Sequence, residues 1–284
     1  MAPAACFRRW LSLDEGVEVT DRGTLAGESL FVAGDDGFDP TGWAVGPWSA
    51  DTLQGSAYAG LLAWVIERSE AASGMTLARL SFDLWRPVTR ERLAATVTVL
   101  RDGRKARTVE ASLVQTGRPV ARCTALLLKM DPASAPPRAA GKPPALGPEA
   151  GRPVPAHVKG WSPFFTSVDT RVVEGDLLAP GPAAAWLRLG RRLVAGEETS
   201  PLAHAVSAAD LASGISAVVD LRTWSFVNAD LTVVLWRLPR PPWILLAAET
   251  HAGDQGTGAT HGLLSDLDGP FGRCAQALIF ERRP

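Results

Sequence analysis

Cysteine and histidine are scarce in this chain, and their scarcity argues against two kinds of site. The 284 residues include only three cysteines, no two of them close together, and four histidines. A disulfide framework or a structural zinc site needs paired or clustered ligands, so neither is expected. A reducing, cytoplasmic location is the corresponding expectation.

The sequence also lacks long apolar runs and any excess of one charge. No run approaches the roughly 18 apolar residues of a membrane-spanning helix. The start, MAPAACFRRWLSL, has neither the apolar segment nor the cleavage site of a secretory signal, so none is expected. Lysine and arginine are scattered and the formal net charge is −1, so neither nucleic acid nor a membrane is an expected partner.

Apolar residues make up 46% of the chain, enough for a sizeable core. A strand is expected at Ser29–Ala33 after a turn at Asp21-Arg22-Gly23, and then a glycine- and proline-rich loop. Nearly every residue from Ser56 to Glu67 is apolar, which predicts a buried helix. Four β-type runs follow, and Asp102-Gly103 is typical of a hairpin turn between two of them. This order predicts an α+β unit.

A second block repeats this order after a segment of different composition. Residues 131–160 are rich in proline, alanine and glycine, which predicts an extended, poorly ordered linker between the units 1–130 and 161–284. A second helix is predicted from about Leu202 to Val219, because Thr199-Ser200-Pro201 is a helix start signal. Strands are expected at Ser167–Val173, Ala184–Leu189, Phe226–Leu238, Ile244–His251, Gly258–Asp266 and Gly272–Arg282.

Two short matches place the blocks in register. Leu84-Trp85-Arg86 recurs as Leu235-Trp236-Arg237, and Arg122-Cys123 recurs as Arg273-Cys274, each time 151 positions later. Two matches at one offset indicate a structural duplication. Cys123 and Cys274 are then expected to be buried packing residues at equivalent positions.

The same offset draws attention to three polar residues of the second unit. Asp210, Asn228 and Gln276 correspond to residues of the first unit that are all apolar, namely Ala59, Leu77 and Ala125. Divergence after duplication would leave such a pattern, with one polar site kept and one emptied.

Several stretches resemble the acyl-CoA thioesterase II group and its thioesterase-like relatives. They include GPWSADTLQGSAYAGLLAWVIER, ARLSFDLWRPV, AADLASG, FVNADLTVVLWRLP and GPFGRCAQALIFE. The resemblance implies an α+β double hotdog fold, in which two tandem units each wrap an antiparallel sheet around a long central helix. In that family an Asp on the second helix, a Thr or Asn on the next strand and a Gln on the last strand position a hydrolytic water. By motif these fall on Asp210, Asn228 and Gln276.

The implied activity is hydrolysis of an acyl thioester, carried by coenzyme A or by an acyl carrier protein, with no metal and no further cofactor. Apolar neighbours would desolvate Asp210 and raise its pKa toward that of a useful base. The alternative for Asp210 is a solvated residue on an exposed helix face. For the two amides the alternative is hydrogen bonding to strand backbone, and His204 is expected to be structural.

The first unit is expected to bind substrate through Gln54, Gly55, Tyr58, Trp64 and Trp48. The family's first helix usually opens with a His-Gly-Gly or Gly-Gly-Gln type stretch, whereas this chain has Gln54-Gly55-Ser56. This departure and the ten tryptophans motivate one alternative, in which the fold catalyses cyclisation or dehydration of a polyketide-like or other natural-product intermediate. A second alternative is an acyl-binding module without turnover, against which the intact set of Asp210, Asn228 and Gln276 argues. Both a monomer and a homo-oligomer are compatible with the sequence.

Overall fold

The first unit has the predicted order of one helix followed by four strands. The computed structural model describes residues 29–135, 141–240 and 242–283, so the N-terminal stretch and the predicted turn at Asp21-Arg22-Gly23 lie outside the described residues. A short strand inside the predicted loop, β2, is the one addition. The elements are β1 (Ser29–Gly34), β2 (Gly37–Pro40), α1 (Gly55–Arg68), β3 (Thr76–Leu84), β4 (Ala94–Asp102), β5 (Ala106–Gln115) and β6 (Arg118–Leu128).

The second unit repeats this order with a shorter main helix than predicted. Its helix α4 ends at Asp210 rather than near Val219, and the long predicted strand is divided at Ala229. The elements are β7 (Arg152–Pro153), α2 (Ala156–Lys159), α3 (Pro163–Thr166), β8 (Val168–Glu174), β9 (Ala183–Leu189), β10 (Arg192–Val194), α4 (Pro201–Asp210), α5 (Ala212–Ile215), β11 (Trp224–Asn228), β12 (Asp230–Leu235), β13 (Ile244–Ala252), β14 (Thr257–Asp266) and β15 (Gly269–Arg282).

One continuous sheet joins the two units. Its strand order is β4-β5-β6-β3-β12-β15-β14-β13-β9-β8-β7, with β11 also paired to β15. The units meet where β3 and β12 pair antiparallel, with Leu80 opposite Val233. The sheet wraps the central helices, as the double hotdog fold requires. Among the described residues the longest helix, α1, has 14 residues, too few to cross a bilayer.

Strand pairing confirms the duplication. Phe82 lies opposite Cys123 in the first unit, and Val233, which is 151 positions later, lies opposite Cys274 in the second. The bond from the Trp85 N–H to the Val120 carbonyl recurs as one from the Trp236 N–H to the Phe271 carbonyl. Both cysteines are buried and free, as expected.

The two central helices pack against each other in opposite directions inside the sheet. Along α1 the contacts run from Gly55 through Gly60 to Glu67, and along α4 they run from Asp210 through Ser207 back to Ser200. A Cβ on Gly60 would lie only 2.2 Å from the Ser207 Oγ. The glycine therefore permits the close approach of the two helices.

The proline- and glycine-rich segment differs from the poorly ordered linker that its composition predicts. From Gly141 onward it packs against the sheet, and the indole N–H of the buried Trp186 donates to the Leu146 carbonyl at 2.9 Å. The segment then pairs with β8 through the two residues of β7. Its described part therefore covers apolar surface.

Candidate active site

Asp210 is the last residue of α4 and lies buried against the first turn of α1. Only 4% of its surface is exposed, so the interpretation of a solvated residue on an exposed helix face is wrong. A Cβ on Gly55, the first residue of α1, would lie 2.7 Å from the Asp210 Oδ2. A glycine at this position therefore lets a carboxylate from the second unit reach the helix of the first.

The Asp210 carboxylate accepts hydrogen bonds on both oxygens. The Ser56 Oγ donates to Oδ2 at 2.8 Å, and the Asn228 Nδ2 donates to Oδ1 at 2.7 Å. The Gln54 side chain and the Ser56 backbone N–H also lie near enough to favour the ionised form of the carboxylate. A carboxylate can accept about four hydrogen bonds, so the two side-chain donors leave room for a water molecule. The N-cap residue of α1, Gln54, supplies no side-chain cap of its own, so Asp210 serves as an N-terminal cap from the other unit.

Two opposed effects set the protonation of Asp210. Burial is the larger effect and raises the pKa of the carboxyl group above its ordinary value of 3.8. The hydrogen bonds from Ser56, Asn228 and Gln54 act in the other direction, because they stabilise the ionised form. The outcome is a carboxylate with a raised pKa and donors that fix its orientation, which suits it to accept a proton from water.

Gln54 leaves one polar atom without a partner. Because a carboxylate only accepts hydrogen bonds, the Gln54 amide must turn its NH₂ group toward Asp210. Its Oε1 then faces Gly46 and is buried with no hydrogen-bond partner among the described residues. A buried unpaired acceptor costs about 1–3 kcal/mol, so the Gln54 side chain is held less firmly than Ser56 and Asn228.

Gln276 reaches Asp210 through the backbone. Its Nε2 donates to the Asp210 carbonyl at 3.0 Å, and its Oε1 accepts from the Ser213 N–H at 3.0 Å. The amide thus bridges the break between α4 and α5 and fixes the position of Asp210, without touching its carboxylate.

A chain of buried hydroxyls secures α5, which carries Ser213. The Ser216 Oγ donates to the Ala212 carbonyl at 2.9 Å and also bonds the Thr250 Oγ1 at 2.7 Å. Thr250 in turn bonds the Thr260 Oγ1 at 2.7 Å. Thr260 lies opposite Gln276 in the sheet, so the break after Asp210 is tied to three strands.

The predicted substrate-binding residues divide into two groups. Gln54 and Gly55 contact Asp210, and Tyr58 is close enough that burial and then the Asp210 charge raise the pKa of its hydroxyl. Trp48 packs edge-on against Phe226, two residues before Asn228, with ring centroids 6.2 Å apart. These four lie at or beside the site.

Trp64 is not brought to the site. It lies nine residues beyond Gly55 on α1, a rise of about 13 Å along the helix. Its ring packs edge-on against Phe38 at 5.8 Å and lies under the Arg68 guanidinium at 4.7 Å.

Ser56 is the contact that the sequence interpretation missed. Gln54-Gly55-Ser56 was notable only as a departure from the family pattern, yet Ser56 bonds Asp210 across 154 positions of sequence. A small polar residue at the start of a helix that is otherwise apolar was the available signal, because the N–H groups there have no partner inside the helix.

Family models match both units. An acyl-CoA thioesterase N-terminal domain matches residues 44–128, and an acyl-CoA thioesterase C-terminal domain matches residues 148–280. The first range includes Ser56 and the second includes Asp210, Asn228 and Gln276. A comparison with curated proteins gave no match.

Solved structures of similar proteins share the fold at low sequence identity, and at these identities the likeness shows the fold alone. A proposed thioesterase II from Thermobifida fusca is 21% identical, with a TM-score of 0.70 over 89% of this chain and 95% of that chain. A hot dog fold protein of unknown function from Alicyclobacillus acidocaldarius is 15% identical, with a TM-score of 0.71 over 88% and 95%. An acyl-CoA thioesterase II from Mycobacterium marinum is 19% identical, with a TM-score of 0.61 over 80% and 90%. Because the two family models together span most of the sequence, this chain belongs to the acyl-CoA thioesterase family and is a thioesterase-like enzyme.

Proposed function

We propose that this enzyme hydrolyses an acyl thioester of coenzyme A or of an acyl carrier protein with a water molecule activated by Asp210. One observation carries the proposal: a buried carboxylate with a raised pKa lies at the N-terminus of a long buried helix, held by Asn228 and Ser56. Such a group can accept a proton, and the helix start beside it can stabilise negative charge.

In the proposed step, water attacks the thioester carbonyl carbon and Asp210 accepts a proton from that water. The carbonyl oxygen becomes an oxyanion, which needs a donor that is already oriented. The Gly55 N–H begins α1 and has no acceptor inside the helix, so it suits this role. Collapse of the intermediate re-forms the carbonyl, breaks the carbon–sulfur bond and releases the thiolate, which takes up the proton that Asp210 accepted.

The water is proposed to bond the Asp210 carboxylate beside its two side-chain donors, Ser56 and Asn228. Gln54 lies next to this place, and its Oε1 has no partner among the described residues, so its amide can turn to admit the water. Asn228 stays on Oδ1 and orients the carboxylate, while Gln276 holds the Asp210 backbone. Tyr58 and Trp48 are the proposed substrate contacts of the first unit.

The acyl group is proposed to lie along the apolar surface beside Asn228. Phe226 on β11 and Leu278 and Phe280 on β15 form a small buried cluster apart from the main core. Trp48 packs on its edge and is about one-third exposed. Aromatic lining of this kind favours bulky or aromatic acyl groups.

The test is thiol release from acyl-CoA substrates, short to long and aromatic, by wild type and Asp210→Asn. Loss of a general base predicts a fall of at least about 100-fold in the rate. Asp39→Asn is the matched control, because Asp39 pairs with Arg92 on the surface of the first unit; it should leave the rate unchanged.

An Asp210→Asn variant as active as wild type would refute the assignment of the base. If folded wild type releases no thiol from any acyl-CoA, the same panel on carrier-bound thioesters decides whether hydrolysis is the reaction. Water loss or ring closure without thiol release would indicate dehydration or cyclisation, and binding without product would indicate an acyl-binding protein.

A further inference from the structure

We infer that Ser56 is a positioning residue that holds the Asp210 carboxylate in the orientation needed to accept a proton from water. The inference rests on the proposed function. Ser56 lies at the start of α1 in the first unit, where this sequence departs from the family's usual opening stretch. The role is therefore inferred from the contacts of this chain and is not carried over from the family.

The contacts of Ser56 define an orienting group. Its side chain is 0% exposed and its Oγ lies 2.8 Å from the Asp210 Oδ2. On the other oxygen, Asn228 donates at 2.7 Å from the opposite unit. Two donors on different oxygens of one carboxylate fix the rotation of its plane, whereas a single donor leaves it free to turn.

The other donors cannot substitute for the hydroxyl. The Gln54 side chain lies near the carboxylate, but its Oε1 has no partner among the described residues, so it restrains the carboxylate less firmly than the Ser56 hydroxyl. The Ser56 backbone N–H stays with the helix and does not restrain rotation alone. The Ser56 hydroxyl and Asn228 are therefore the two side chains that hold the Asp210 carboxylate.

Packing alone does not explain a serine here. Ser56 is the second residue of α1, so its hydroxyl has no helical carbonyl one turn earlier to bond. Ser207, in the same helix pair, shows the contrast: it is 1% exposed and its Oγ has no partner among the described residues. The helix pair can therefore bury a serine whose hydroxyl has no partner, as at Ser207. The Ser56 hydroxyl differs, because it has a specific acceptor in Asp210.

The test compares Ser56→Ala with Ser207→Ala, which removes a hydroxyl from the same helix pair without touching Asp210. Ser56→Ala should lower kcat about tenfold with little change in KM, the scale of a lost hydrogen bond to a charged group. The acid limb of kcat/KM should move to higher pH, because the carboxylate loses a donor that favours its ionised form. Ser207→Ala should keep the wild-type acid limb.

Two further variants separate this role from folding. Ser56→Cys keeps nearly the same volume with a weak donor, so it should shift the acid limb as Ser56→Ala does and remain informative if the alanine variant fails to fold. Ser56→Thr retains a hydroxyl and should restore the wild-type limb. In an Asp210→Asn background, Ser56→Ala should cost no further activity, because its partner is already gone.

The outcomes distinguish this inference from the proposed function. Wild-type turnover with the same acid limb in folded Ser56→Ala and Ser56→Cys would overturn the role of Ser56 alone. Absence of thiol release by wild type on every thioester would overturn the proposed function. In that case carbon-13 NMR titration of labelled aspartate still decides the contact: the Asp210 carboxyl should titrate at higher pH in Ser56→Cys, and an unchanged titration would refute it.

Discussion

Two buried carboxylates in this protein have opposite pKa shifts, and their donors explain why. Asp266 has no exposed surface, and burial alone would raise its pKa. It nonetheless bonds both terminal nitrogens of Arg237 as well as two backbone N–H groups, and together these lower the pKa. Asp210 has only neutral donors, so burial prevails and the pKa rises. Asp266 is therefore fixed as an ion for structure, whereas Asp210 is able to take a proton.

Gln54→Glu should impair the enzyme through charge. The new carboxyl would lie beside Asp210, and two like charges raise the pKa of one member of the pair. Thiol release at neutral pH should fall about tenfold or more, and the acid limb should move to higher pH.

Gln54→Met separates the effect of charge from the loss of the amide. Methionine is close in size to glutamine and stays neutral, so its acid limb should lie below that of Gln54→Glu. Identical pH profiles for the two variants would contradict a carboxyl–carboxyl contact at this position.

The sequence identified some residues of the site and missed others, for physical reasons. Asp210 and Asn228 stood out because polar residues replace apolar ones between the two repeats, and they do bond each other. The position of Gln276 was predicted, but its bonds to backbone were not, because they depend on where α4 ends. Ser56 was missed because its partner lies 154 positions away and only the packing of the helices reveals it.

At the scale of elements, the end of α4 shows tertiary contacts overriding a helical pattern. The apolar pattern continues to Val219, which is why a longer helix was predicted. The regular helix is interrupted at Leu211 and resumes as α5 at Ala212, and Gln276 satisfies the Asp210 carbonyl and the Ser213 N–H at the break. The strands were predicted more accurately, because β-type runs and Asp-Gly turns are local signals.

The crossing of α1 and α4 at Gly60 predicts a destabilising substitution. A Cβ there would lie 2.2 Å from the Ser207 Oγ and 3.4 Å from the Ala203 carbonyl oxygen. Gly60→Val should therefore separate the helices and lower the free energy of unfolding by about 3 kcal/mol, as overpacking of a core does. Urea unfolding measures the change.

The double variant tests whether this contact is the cause. Ser207→Ala removes the nearest atom, so Gly60→Val with Ser207→Ala should recover part of the lost stability through a coupling of about 1 kcal/mol. Purely additive effects would place the strain elsewhere. The control for placing valine at a glycine is Gly214→Val, because a Cβ on Gly214 would have nothing within 4 Å. Gly74→Val is unsuitable, because Gly74 has a positive φ of 71° that valine would strain.

At the scale of the whole molecule, the offset that relates the strands does not relate the helices. Asp210 is the tenth residue after its helix cap, Ser200, and the tenth residue after the other cap, Gln54, is Trp64. The equivalence of Asp210 with Ala59 is therefore corrected to Trp64. At the opposite end of the helix pair, Glu67 bonds Ser200. At the strand positions equivalent to Asn228 and Gln276, the first unit has the apolar residues Leu77 and Ala125.

The pH dependence of global stability should reveal the buried His204. Burial lowers its pKa from 6.5 to about 4, and its neutral Nε2 accepts the Leu189 N–H at 3.1 Å. The folded state therefore binds fewer protons than the unfolded state as the pH falls from 6.5 toward 4. The stability associated with neutral His204 is present above pH 6.5 and is lost through that window, by up to about 3 kcal/mol.

His204→Gln should flatten this part of the curve when the free energy of unfolding is measured from pH 7 to pH 4. His251→Gln is the control, because His251 is exposed beside Glu249. Asp210 acts oppositely: its raised pKa means that stability is gained as the pH falls below that pKa toward 3.8. A wild-type slope that survives in His204→Gln would contradict the assignment.

The junction of β3 and β12 has a consequence for how such a protein can evolve. In a symmetric dimer of single units, one gene encodes both subunits, so a substitution at one helix start is also present at the other. Here both strands of the junction belong to one chain, and the two helix starts are encoded separately. One could acquire Gln-Gly-Ser opposite an aspartate while the other acquired Ser-Pro opposite a glutamate. Loss of the symmetry therefore allows each helix start to change without altering the other.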